Sequence, residues 1–225
     1  MPPSSCPSCG AALHFRSSVS VYVVCASCGS MVVRSDVEVE TIGRMASLPG
    51  DISPLQIGTK LTHAGRAYTL LGRTRMAWDD GAWTEWFMDD GTVQGWLADA
   101  QGFLSVSFEQ PLPPLLATAA WPVLGDAVTL EGKIYRVSDL KQATCIGSEG
   151  ELPFAAPRGR TARYADMISL SAGFASIEES KEGRRLYFGA YVRFDELHFD
   201  GLRPVEGWAR PGPGAAGDPQ FPPAP

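Results

Sequence analysis

The 225 residues hold only three histidines, His14, His63 and His198, and none of them lies beside a nucleophile motif. GxSxG, P-loop, HExxH and glycine-rich dinucleotide patterns are all missing, so no catalytic centre is spelled out and the chain reads as non-enzymatic. Long apolar runs are missing too. The longest, Pro111 to Gly125, covers 15 residues with four prolines, whereas a helix across a bilayer takes ~20 apolar residues. The start, MPPSSCPSCG, has neither the charged opening nor the apolar core of a secretory signal, so a cytoplasmic protein is expected. Positive charge is scarce as well. The net charge is −6, and residues 1–35 carry Arg16 and Arg34 but no lysine. Phosphate contact takes a cluster of cations, so nucleic-acid binding is not expected.

Cysteine is sparse but patterned. Four of the five cysteines form two CxxC pairs, Cys6/Cys9 and Cys25/Cys28, with 15 residues between the pairs. Gly10 and Gly29 follow them and permit the tight turns that aim backbone amides at the sulfurs. Two such knuckles joined by a hairpin place four thiolates tetrahedrally, which predicts a zinc ribbon holding one structural Zn²⁺ with no open coordination position. Paired thiolates of this kind suit a reducing compartment better than disulfides do. Cys145 stands alone on a strand-like run and reads as a buried apolar residue. His14, between the pairs, reads as a surface residue.

What is abundant is turn chemistry: 24 glycines and 18 prolines. Alternating segments predict strands near Thr59–His63, Arg66–Met76, Ala82–Met88, Thr92–Ala98 and Phe103–Phe108, joined at Ala64-Gly65, Asp79-Asp80-Gly81, Asp89-Asp90-Gly91 and Gln101-Gly102. A meander of five short strands cannot hide its edges in a flat sheet, so a closed or half-closed barrel is expected. The pattern then recurs. Gly58, Gly65, Tyr68 and Leu70 return at an offset of 67 as Gly125, Gly132, Tyr135 and Val137. Further on, Glu85 aligns with Glu151 and Trp96 with Tyr164. The predicted fold is mainly β: a zinc ribbon (1–35), a linker with a short strand around Val37–Thr41 (36–56), a first SH3-like β module (57–109), a Pro-rich linker (110–121), a second module (122–203) and a disordered tail (204–225).

One stretch stands out. Trp78 to Trp96 holds four of the six tryptophans and five carboxylates, with no basic residue. Strict alternation puts Trp83, Glu85 and Phe87 on one strand face and Thr84, Trp86 and Met88 on the other. Glu85 thus shares a face with two aromatics, an odd place for a solvated carboxylate. Asp79, Asp80, Asp89 and Asp90 are what hairpin turns prefer. A cation over a tryptophan face with carboxylates nearby is a common way to hold an ammonium. Trp83, Glu85, Trp86, Trp96 and Glu151 are therefore the candidate ligand or partner residues.

These motifs resemble a bacterial family known only as domain of unknown function 4178. The likeness rests on CPSCG and CASCG, Gly58, Gly65 and Tyr68, WTEW at Trp83–Trp86, GWL at Gly95–Leu97, EGELPF at Glu149–Phe154 and YAD at Tyr164–Asp166. The resemblance implies no activity. It implies association with membrane-stress proteins of the phage-shock type and with polyamine-synthesis-like enzymes. The leading expectation is a binding or scaffold protein with a protein partner, peripheral to a membrane-stress assembly and without a span. The alternatives are a receptor for a polyamine-like cation at the Trp/Glu cluster, and a hydrolase or transferase using Glu85 or Glu151.

Overall fold

Fifteen strands, one helical turn and one 3₁₀ turn make up the computed structural model, which describes residues 4–35, 38–45, 48, 53–100, 102–170 and 173–205. Of the expected disordered tail (204–225) all but residues 204 and 205 lie outside these residues, as do the strand position at Val37 and part of the expected linker (36–56).

The ribbon comes first. β1 (Ser4–Ser5) pairs with β2 (Ala12–Leu13), and β3 (Tyr22–Val24), β4 (Ser30–Ser35) and β5 (Glu38–Arg44) form a meander. The expected five strands of the first repeat follow as β6 (Lys60–His63), β7 (Arg66–Trp78), β8 (Gly81–Asp89), β9 (Gln94–Ala100) and β10 (Phe103–Gln110). The second repeat gives β11 (Ala127–Leu130), β12 (Lys133–Leu152), β13 (Thr161–Ser169), β14 (Phe174–Ser180) and β15 (Gly183–Val192). Between the repeats lies α1 (Pro114–Thr118), and after them the 3₁₀ turn Phe194–Leu197.

The repeat seen in the sequence has a physical basis. Ala64-Gly65 and Glu131-Gly132 both take positive φ, 50° and 75° in the first turn and 48° and 74° in the second, as a two-residue hairpin turn requires. The Gly58 amide donates to the Leu70 carbonyl, and the Gly125 amide to the Val137 carbonyl, so the same bond recurs at the same offset.

Each repeat is half-closed, and the two finish each other. β7–β10 and β12–β15 form one eight-stranded barrel, sealed where β10 pairs with β15 and where β7 pairs with β12. At the first seam Phe108 faces Phe188, flanked by the matched pairs Ser107–Gly189 and Glu109–Tyr187, so the halves meet about a local two-fold. Both seams need glycine. A Cβ on Gly72 would lie 2.1 Å from the Glu151 carbonyl oxygen, and one on Gly189 would lie 2.0 Å from that of Val106.

Both outer faces of the barrel are covered. Leu55, Leu61 of β6 and Leu197 pack on Trp86, Met88 and Leu97 outside the first half. Leu116 of α1, Leu112 and Trp121 pack over Met167, Ile177 and Leu186 outside the second. With apolar residues committed outward in this way, the inward positions are free to carry aromatic and polar groups. The 20-residue β12 reaches past the barrel, and its end, Gly150–Leu152, pairs with β3 of the ribbon. No helix among the described residues is long and apolar enough to cross a membrane.

Candidate functional site

The barrel encloses a cavity of about 1210 Å³. Trp83 and Glu85 of β8, Trp96 and Ala98 of β9, Tyr164 and Asp166 of β13, Ser176 and Glu178 of β14 and Tyr187 of β15 line it. Each of these strands points alternate residues inward, the geometry that the sequence alternation at β8 predicted. Phe87, next inward on β8, packs below with Met76, Cys145 and Phe154. Tyr22 and Met31 of the ribbon join the same cluster, so ribbon and barrel share a floor.

The aromatic rings touch in sequence. Trp78 and Trp83 lie 5.3 Å apart between centroids, and Trp83 meets Tyr164 edge-on at 5.2 Å. Phe87 and Trp96 lie 5.4 Å apart, and Trp96 stacks on Phe154 at 5.6 Å. Arg160 and Arg185 sit with their guanidinium carbons 4.7 and 5.0 Å from the Phe154 ring centroid, closing the lower end.

The carboxylates differ in what holds them. Glu178 is ion-paired with Arg160 at 2.9 Å, and Arg160 also reaches Glu182 at 3.3 Å. Glu85 forms no ion pair among the described residues. It accepts from Trp83 Nε1 at 2.9 Å and from the Thr74 hydroxyl at 3.2 Å. It keeps some accessible surface where it faces the cavity and is otherwise buried in the barrel wall. That burial, together with the charge of Glu178, pushes its carboxyl up to about 7. Asp166 accepts from the Ser176 hydroxyl at 2.6 Å, and burial raises it too, against the opposing charge of Lys141. Lys141 itself is ion-paired with Asp139 and lies 5.4 Å from the Trp78 ring centroid. The Tyr164 hydroxyl is buried at the wall with no hydrogen-bond partner among the described residues.

The structure brings together three of the five candidates: Trp83, Glu85 and Trp96. It places Trp86 on the outer face, 1% exposed, with the Arg73 guanidinium 4.9 Å from its ring centroid. Glu151 belongs elsewhere again. It clasps the ribbon, accepting from the Arg16 amide at 2.6 Å, the Ser17 amide at 3.2 Å and Arg16 Nε at 2.9 Å. Nor is it the counterpart of Glu85. Leu70 faces Met88 and Val137 faces Met167, so the ladders make Tyr164 the equivalent of Glu85. The alignment slipped because β12 runs 20 residues where β7 runs 13. Asp166 and Glu178 were missed, although Tyr164/Asp166 and Ser176/Glu178 each alternate on one strand face.

Residues 56–194, more than half of the chain, match a protein family described as a domain of unknown function (DUF4178). The chain belongs to the DUF4178 family. The matched residues run from just before β6 to Phe194 and so take in the whole barrel, whereas the two CxxC pairs fall outside the match. No curated protein and no solved structure matches the chain.

Outside the DUF4178 barrel lies the second site, a cluster of four thiols. Cys6 and Cys28 sulfurs are 3.7 Å apart, Cys9 and Cys25 sulfurs 3.8 Å, and all four lie within 4.8 Å of one another, close enough to hold a metal ion. Both knuckles have the same backbone. Gly10 donates to the Cys6 carbonyl and Gly29 to the Cys25 carbonyl, with φ of 75° and 71° at the two glycines. The Ser30 hydroxyl, 3.1 Å from Cys28 Sγ, and the Ser30 backbone lower that thiol to about 6, favouring the thiolate a metal needs. Cys145 is buried on the barrel floor, and burial pushes its thiol up to about 11, so it is poorly reactive.

Proposed function

We propose that this chain is a non-enzymatic receptor that holds a small organic molecule inside the barrel, with a structural Zn²⁺ in its ribbon. The observation that carries the reading is the cavity itself: a roomy, aromatic-lined lumen with a few fixed polar groups is the usual make-up of a ligand site. The volume corresponds to some forty water-sized portions at ~30 Å³ each, ample for a ligand of a few tens of atoms. A scaffold working through its tryptophans finds less support, because Trp83 and Trp96 face inward and Trp86 is covered.

The zinc reading rests on fit. Four sulfurs at ~2.3 Å from a central ion stand about 3.8 Å apart at the corners of a tetrahedron, and the sulfurs here are already at 3.7 and 3.8 Å. Zinc would lock the knuckles and, through β3, the floor of the barrel. Such a thiolate set favours a reducing compartment such as the cytoplasm.

Two measurements test this. Metal analysis of gently purified protein is expected to give one zinc per chain, and less than about half an equivalent would sink the ribbon assignment. For the lumen, the neutral dye N-phenyl-1-naphthylamine is expected to bind saturably, one per chain, and to lose binding in an Ala98→Trp variant that unfolds at the same temperature. Absence of saturable binding, or full binding in that variant, would refute the receptor reading.

A further inference from the structure

With the barrel taken as a receptor, a reading on which the ligand's chemistry depends, the lining of the lumen also selects what it holds. We propose that the ligand is a cationic amphiphile: one ammonium-type head seated at Glu85, with an apolar body running outward along the lumen to its mouth.

The charges set the head. Among the described residues, no lysine or arginine forms an ion pair with Glu85 or Asp166, while Glu178 is held by Arg160. Both carboxyls therefore lack a direct counter-ion, with Arg160 acting on Glu85 and Lys141 on Asp166 only from a distance. A buried carboxylate without a cation is costly and gains from a cation seated directly against it, where their attraction offsets the desolvation of both. Trp83 donates to Glu85 and offers its ring beside it. A carboxylate beside an aromatic face is the chemistry that recognises an ammonium group. The cations that line the lumen do not favour an anion, since Lys141 is ion-paired with Asp139 and Arg193 with Asp195.

The mouth sets the tail. Beyond Tyr164 and Asp166 the cavity lining turns apolar, with Leu104, Phe174, Val192 and Phe194. Across the opening stand Phe103 at 64% and Tyr191 at 57%, with Phe174 against Tyr191 at 5.2 Å. Two of the three carboxylates near the mouth are neutralised by ion pairs, and the third is tied to a backbone amide. Asp139 pairs with Lys141, Asp195 pairs with Arg193 at 2.9 Å, and Glu196 accepts the Arg193 amide at 3.0 Å. A ligand charged at both ends would leave its second ammonium among rings and aliphatic groups. A single head with a hydrocarbon or aromatic body fits both ends, which favours a mono-cation with an apolar tail over the polyamine-like cation that was one alternative from the sequence.

The test is a tryptophan-fluorescence titration of the full chain at pH 8 with decylamine, decanol and spermidine, each below any micelle threshold. Decylamine, protonated there, is expected to bind about tenfold or more tighter than decanol. Glu85→Gln is expected to erase that preference while leaving decanol binding intact, and Asp166→Asn to reduce it. Phe103→Ser is expected to weaken both ten-carbon ligands alike. Equal affinity for decylamine and decanol, or a preference that survives Glu85→Gln, would overturn the cationic head while leaving the lumen site standing. Spermidine binding more tightly than decylamine would overturn the single head. Failure of all three ligands and of the neutral dye would remove the receptor reading itself.

Discussion

Glu85→Gln should make the protein more stable, and by an amount that depends on pH. Glu85 sits inside the barrel with its carboxyl raised from 4.5 to about 7 by burial and by the nearby charge of Glu178. The folded chain therefore binds this proton more tightly than the unfolded chain does. Below about 4.5 both states keep the carboxyl neutral and the group contributes its full stability. Between 4.5 and 7 the unfolded chain ionises freely while the folded one does not, so stability falls with rising pH, and above 7 it levels off. At about 1.4 kcal/mol per pH decade, the whole drop is about 3 kcal/mol. Glutamine never ionises, and its carbonyl can still accept from Trp83 Nε1. The variant should thus match the wild type near pH 4 and exceed it by about 3 kcal/mol at pH 9, or roughly 6–12 °C in Tm for a chain of this size. The other titratable neighbours are Glu178, Arg160, Tyr164 and Cys145, with Asp166 elsewhere in the lumen. Asp166 is raised by the same burial and adds a fall of the same sign. Acid would also loosen a metal held by the four cysteines. Both effects occur equally in the two proteins, so the difference between them isolates Glu85. Urea unfolding followed by tryptophan fluorescence at pH 5, 7 and 9 provides the measurement. If the variant's advantage grows by less than about 1 kcal/mol from pH 5 to pH 9, Glu85 is not buried as the structure places it.

Two further substitutions separate the ribbon clasp from the barrel seam. Glu151→Gln leaves the Arg16 guanidinium without its carboxylate and weakens charge-assisted bonds from the Arg16 and Ser17 amides. A loss of about 2 kcal/mol is expected, the lower part of the range because Arg16 is 51% exposed. Amide hydrogen exchange should quicken in 16–24 and 150–152 while ligand affinity stays unchanged; a change in ligand affinity would contradict the placement of Glu151 outside the lumen. Gly189→Ala puts a methyl 2.0 Å from the Val106 carbonyl oxygen and must spread the β10–β15 seam, at about 3 kcal/mol or more. A Tm within 2 °C of wild type would show that the seam is looser than described, whereas the same change at Gly102, where a Cβ meets nothing within 4 Å but φ is 93°, should cost only about 1 kcal/mol.

The local code was legible because it is local. Two CxxCG knuckles fix their own turns, the paired glycine turns fix hairpins, and two-residue alternation decides which side chains share a face. Trp83, Glu85 and Phe87 could accordingly be set on one face and Trp86 on the other from β8 alone. The same reasoning could not say what that face looks upon. Glu151 was drawn into the candidate site by an alignment that carried the first repeat's spacing into a strand seven residues longer. Asp166 and Glu178 escaped notice because a carboxylate on an alternating strand looks solvated until its sheet is known to curl around it.

The sequence by itself determined the mainly β character, the four-thiol cluster and the two repeats, since each depends on contacts among near neighbours. Only the tertiary structure decided that the repeats form two halves of one barrel, and that decision made Glu85 an interior residue. Its physical reason is edge pairing: a half-barrel leaves backbone groups unpaired at both ends, and the other half satisfies them at the Phe108–Phe188 and Gly72–Gly150 seams.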